Sequence, residues 1–131
     1  MQPPFHAIVW IDHHHAKVFH FNADEVDRTV VRPHDRAVHL HHKANTIGSG
    51  HAPADKEFFG RVTHALAGAG TILIVGPAGA KTELASHLAA HAPGLSTRVA
   101  GVETVDHPSE GELLALARQF FRASDRMHRL A

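Results

Sequence analysis

Branched and aromatic residues open the chain in short, strand-like runs. His6-Ala-Ile-Val-Trp-Ile-Asp12 is apolar without alternation, the pattern of a strand covered on both faces. After His13-His14-His15, the run Ala16-Lys-Val-Phe-His-Phe21 alternates. Lys17, Phe19 and Phe21 fall on one face, Val18 and His20 on the other. Residues 22–25 read as a turn, because Asn22 and Asp24 can bond to nearby backbone and tolerate tight geometry. Val26 to Arg32 is a third strand, which Pro33 interrupts, and alternation from Ala37 to His41 predicts that it resumes. Three strands joined by tight turns imply an antiparallel meander.

The period then changes. Phe58, Phe59, Val62, Leu66 and Ala69 recur at helical spacing, predicting a helix over about 54–67 that Gly68 and Gly70 stop. Residues 71–75 form a fully apolar strand ending at Gly76-Pro77. A second helix is expected over about 80–91, with Leu84 and Leu88 inward and Pro93-Gly94 as its end. Arg98 to Val105 reads as a fifth strand. Ser109 and Glu112 have capping-box spacing, each able to bond the other's free backbone N–H. They open a last helix with Leu113, Leu116, Ala117, Phe120 and Phe121 inward, and residues 122–131 are expected to fray. The order β-β-β-α-β-α-β-α predicts an α/β domain over residues 1–121. It would be a five-stranded mixed sheet, a meander followed by two αβ units, with helices on its faces. That order resembles the ribonuclease H-like fold. The apolar first and fourth strands should be central, leaving edges through which two copies could pair.

A chain of 131 residues suits one domain, and 44% hydrophobic with 20% charged residues is ordinary for a globular protein. There is no cysteine, hence no disulfide framework and no thiolate zinc site. No apolar run is long enough to cross a bilayer, and the opening residues lack the pattern of a signal peptide. A cytoplasmic location is expected. Formal charge is zero with histidines neutral, unlike the strongly basic balance of an autonomous nucleic-acid binder. Fifteen histidines change this below neutrality, so an anionic partner is expected to bind better at mildly acid pH.

Residues 39–53 stand out, with His39, His41, His42 and His51, Lys43, and Gly48-Ser49-Gly50, and little that could enter a core. A polar connection of this length inside a domain calls for a function. One candidate is a transition metal. Imidazole suits zinc, and Asp12, His13, His15, His39 and His41 are possible ligands, with His39 and His41 on one strand face. Glu83, His87 and His91 also share a helix face at four-residue spacing. Consecutive histidines point in different directions, however, and no HExxH-type spacing occurs. Adventitious metal binding is therefore the plainer expectation, with no physiological cofactor. For Asp12, capping the turn before His13 is the plainer role. A two-metal nuclease would need converging carboxylates. Asp12 and Glu57 could supply two, but the fourth strand offers none.

Gly76 to Thr82 lies at a strand-to-helix junction and invites comparison with a P-loop. Lys81 already stands where that motif needs its second glycine, so the turn is one residue short. What remains is a tight βα turn, with Gly79, Lys81 and Thr82 at a helix N-terminus able to meet an anion weakly.

His6 to Asp12 with Ala16 to Phe21, then Ile72-Leu-Ile-Val-Gly-Pro77 followed by Lys81-Thr-Glu-Leu84, resembles the middle domain of archaeal and eukaryotic peptide release factors and of Pelota. The chain is similar over nearly its whole length to small bacterial "translational machinery proteins", including the His42-Lys43 region and Val102-Glu-Thr-Val-Asp-His-Pro108. In release factors the connection between the meander and the first long helix carries Gly-Gly-Gln, whose glutamine helps water cleave peptidyl-tRNA. Here Gly48-Ser49-Gly50-His51 takes that place, and the only glutamines are Gln2 and Gln119. The resemblance therefore implies the scaffold and an RNA-facing loop without peptide release. It implies a non-catalytic, translation-associated module that binds ribosomal RNA or tRNA. His41, His42, Lys43 and His51 would meet phosphates, and Gly48, Ser49 and Gly50 would let the backbone approach closely. A metal-binding protein or metal-dependent hydrolase built on the histidines is the alternative.

Overall fold

The computed structural model describes the backbone over residues 5–33 and 51–130, and side chains over 5–33 and 56–123. Five strands, β1 (Phe5–Ile11), β2 (Ala16–Phe21), β3 (Val26–Val31), β4 (Ala69–Gly76) and β5 (Val99–Thr104), form one sheet in the order β3-β2-β1-β4-β5. β1 runs antiparallel to β2 and β2 to β3, while β4 is parallel to β1 and β5 to β4. The predicted meander, mixed sheet and central position of β1 and β4 are all present. The predicted strand over 37–41 lies outside the described residues.

Four helices accompany the sheet: α1 (His51–Ala65), α2 (Ala80–His91), α3 (Pro93–Ser96) and α4 (Glu110–Leu130). α1 begins earlier than the periodicity predicts. Gly68 ends the turn after it with φ +90°, a conformation that suits a residue without Cβ. The short α3 corrects the reading of Pro93-Gly94 as a plain stop. Proline fits the first turn of a helix, where its missing N–H would have no partner. The capping box forms as expected, with Ser109 N–H donating to Glu112 Oε1 at 2.8 Å and Glu112 N–H to Ser109 Oγ at 3.1 Å. α4 continues to Leu130, past the expected end.

The sheet is covered on both faces, as the lack of alternation in β1 requires. On one face Val9, Ile11, Val18, Ile72 and Ile74 pack with Phe58 and Val62 of α1, Leu66 just after it, and Leu84 and Leu88 of α2. On the other, Ile8, Trp10, Phe19, Phe21, Leu73 and Val75 pack with Leu113, Ala117 and Phe121 of α4. Each such large side chain contributes roughly 1.5–3 kcal/mol on burial. Among the described residues no polar or charged side chain is buried. No helix of the described residues is long and apolar enough to cross a membrane.

Strand direction determines where the chemistry collects. β1, β3, β4 and β5 all point the same way, so their carboxyl ends share one rim of the sheet. α1, α2 and α4 run back from that rim. At the opposite end the last turn of α1 is held by His20, whose Nε2–H donates to the Ala65 carbonyl at 2.7 Å. There too Arg118 of α4 donates to the Asn22 carbonyl at 3.0 Å. Pro33, just past the end of β3, and His51, at the start of α1, therefore both lie at that rim.

Candidate nucleic-acid interface

The first part of the rim is the turn between β1 and β2. Asp12 Oδ1 accepts from the backbone N–H groups of His14 at 2.7 Å and His15 at 2.9 Å, the turn-capping role expected of it. The turn leaves His13 and His14 exposed and brings His15 against Trp10, ring centroids 5.2 Å apart. His13 reaches across to α2, its Nε2 lying 3.3 Å from Glu83 Oε1 and 3.4 Å from Oε2. Seventy positions separate this pair, and nothing in either local sequence announces it.

The turn from β4 to α2 forms the second part. Gly79 caps the helix without a side-chain bond, and Lys81 Nζ folds back to donate to the Ala78 carbonyl. The carboxylate of Glu83 stands over the same turn, Oε2 lying 3.7 Å from where a Cβ on Gly79 would be. The helix thus presents its own anion to its own N-terminus, a favourable placement. An incoming anion at Gly79, Lys81 and Thr82 would have to displace it.

The third part is the connection from β5 to α4. Trp10 Nε1–H donates to the Asp106 carbonyl at 2.7 Å, and His107 lies against the indole with centroids 5.1 Å apart. Glu110, in the first turn of α4, accepts from Arg28 at 2.9 Å and lies 3.9 Å from Lys17 Nζ.

Arg61 of α1 holds the end of β3. Its guanidinium donates to the Arg32 carbonyl and, at 2.9 Å, to that of Pro33. His39, His41, His42, Lys43, Gly48, Ser49 and Gly50 lie outside the described residues. His51 is the first residue of α1. Of the possible metal ligands, Asp12, His13 and His15 share one turn, and His87 and His91 meet on α2, their rings tilted at 40° with centroids 4.6 Å apart. Among the described residues no three histidine or carboxylate side chains stand close enough to hold a metal ion.

Two of these histidines respond to their surroundings. Burial pulls the His15 imidazole below its ordinary range. Asp12 opposes this, and Lys17, Arg32 and His14 reinforce it. His87 is lowered by burial, then by His91 and Lys56. Both groups take a proton more readily in the unfolded chain. Their contribution is therefore intact above about pH 6.5 and is lost as the pH falls below it. We expect the melting temperature to fall from about pH 7 to about pH 5.5, and His15→Gln with His87→Gln to flatten that fall. A double variant with the wild-type slope would assign the acid sensitivity to other groups.

These features define an open, three-layer α/β domain whose polar chemistry lies on one rim. The same fold occurs in solved structures of Pelota and of an archaeal translation termination factor. The chain is similar to Archaeoglobus fulgidus Pelota at 19% identity and TM-score 0.61, covering 90% of this chain and 32% of that one. It is similar to Thermoplasma acidophilum Pelota at 17% identity and TM-score 0.55, covering 82% of this chain and 30% of that one. An archaeal translation termination factor matches at 12% identity and TM-score 0.57, over 96% of this chain and 39% of that one. The chain thus spans about a third of the length of each. No family model and no curated protein matches the sequence.

Proposed function

We propose that this chain is a non-catalytic, translation-associated module that binds ribosomal RNA or tRNA through residues 39–53. The observation that carries the proposal is the fold shared with Pelota and an archaeal termination factor over nine-tenths or more of this chain in two of three comparisons. The placement of Pro33 and His51, the described residues on either side of segment 34–50, at the polar rim supports it. Lys43, His41, His42 and His51 supply positive charge, and Gly48 and Gly50 allow close approach. The segment contains no glutamine, so the group that performs peptide release in release factors is missing.

Co-sedimentation with ribosomes at low salt tests this. The wild type is expected to pellet with ribosomes, more strongly near pH 6 than near pH 8, and to be released as salt rises. His42→Ala with Lys43→Ala should remove most of the binding. If the wild type stays in the supernatant under every condition, the proposal fails.

A further inference from the structure

The positive side chains of the rim concentrate at the corner where β2 meets β3. Ala16 pairs with Val31 and Lys17 with Val30. Carried one step beyond the strand ends, that register sets Arg32 across from His15. Alternation places His15, Lys17, Arg28 and Arg32 on the same face of the two strands. Near this corner stand two carboxylates. Asp12 uses one oxygen to hold its turn and lies 3.5 Å from His15, while Glu110 is shared by Arg28 and Lys17. Of the other acids of the rim, Glu83 is engaged by His13 and Asp106 by His107.

Among the described residues, three permanent cations, Lys17, Arg28 and Arg32, thus face two carboxylates, Asp12 and Glu110, leaving one positive charge before any histidine takes a proton. Arg32 and His14 are exposed, and neither side chain has a carboxylate partner among the described residues. Burial is the main cause that lowers the His15 imidazole, and Lys17, Arg32 and His14 add to it against Asp12, in keeping with their shared corner. The backbone bearing Arg32 is also fixed, because Arg61 grips its carbonyl and that of Pro33. A guanidinium on a fixed backbone, without a partner among the described residues, is suited to the two-pronged recognition of a phosphate.

We infer that this corner is a second contact for a nucleic-acid backbone: the phosphates of an RNA strand meet Arg32, His14 and Lys17. The inference rests on the RNA-binding reading above and adds a surface to it. Arg32 is the sharpest probe, because its side chain supports no described contact and its loss should leave the fold intact.

The test is fluorescence anisotropy with labelled oligouridine at a series of salt concentrations, with a thermal melt of every variant. For single strands the slope of log K against log salt changes by about 0.7 for each phosphate contact. Arg32→Gln is expected to melt like the wild type and to reduce the slope by about 0.7, and Arg32→Lys to restore most of it. His42→Ala with Lys43→Ala should weaken binding independently. If that pair weakens binding while Arg32→Gln keeps the wild-type slope, the second contact is wrong and the segment reading stands. Wild-type protein that binds neither oligouridine nor ribosomes would overturn both. Capture of polyglutamate instead of oligouridine through Arg32 would overturn the inference in favour of an acidic protein partner.

Discussion

Gly76→Ala is expected to cost about 3 kcal/mol or more, and to lower the melting temperature by on the order of 10 °C. Gly76 ends β4 beside the end of β1, and a Cβ there would lie 2.2 Å from the Ile11 carbonyl oxygen. Both neighbours are backbone in the centre of the sheet, so no side chain can turn aside. The same residue accepts the Val105 N–H at 2.9 Å, so a shift of β4 also disturbs the exit from β5. Gly60 is the control. It is exposed on α1, with nothing within 4 Å of its added Cβ. Gly60→Ala should therefore stabilise the domain by roughly 0.5–1 kcal/mol, through helix propensity and a less free unfolded chain. Opposite signs in urea titrations of the two variants are the expected result. A wild-type midpoint for Gly76→Ala would mean that β1 and β4 do not approach as described.

Trp10→Ala should be comparably damaging, at about 3–5 kcal/mol, a large share of the roughly 5–15 kcal/mol available to a domain. Trp10 is 3% exposed and packs in the cluster beneath α4. Its N–H also holds the Asp106 carbonyl in the connection that delivers α4 to the sheet. Trp10→Phe separates the two contributions. It keeps most of the apolar contact, removes the donor and should cost about 1–2 kcal/mol. As Trp10 is the only tryptophan, unfolding of both variants is best followed by far-UV circular dichroism. Equal losses for the alanine and phenylalanine variants would mean that the hydrogen bond, and not the packing, dominates this position.

Most of the architecture was legible because local pattern and tertiary role agree. The unbroken apolar runs of β1 and β4 put them at the centre. Alternation in β2 separated Phe19 and Phe21 from Val18 correctly between the two faces. Ser109 and Glu112 announced a helix start, and Asn22 and Asp12 their turns. Boundaries set by permissive residues were less legible. Pro93 can either stop a helix or begin one, and here it begins α3. The site was only partly readable for another reason. Glu83, His87 and His91 could be placed on one helical face from spacing alone. The partner of Glu83 is His13, from a turn that only the folded sheet brings near. The grip of Arg61 on Arg32 and Pro33, and the convergence of His15, Lys17, Arg28 and Arg32, likewise depend on strand register.

The parallel seam between β1 and β4 joins residues 65 positions apart, as in the 2.6 Å hydrogen bond between His6 and Thr71. The meander, by contrast, closes through short turns. Loop closure must be achieved before distant contacts reward it, so the seam is the slow part of this topology. A chain made from its N-terminus can pair β1, β2 and β3 before β4 exists. Throughout that interval the edge of β1 that awaits β4 is unpaired, and Val9 and Ile11 lack their cover from α1 and α2. An unpaired, apolar strand edge is a template for association with another copy. The arrangement that makes the finished sheet stable therefore places its main aggregation hazard during synthesis, in the time between the emergence of β1 and the arrival of β4.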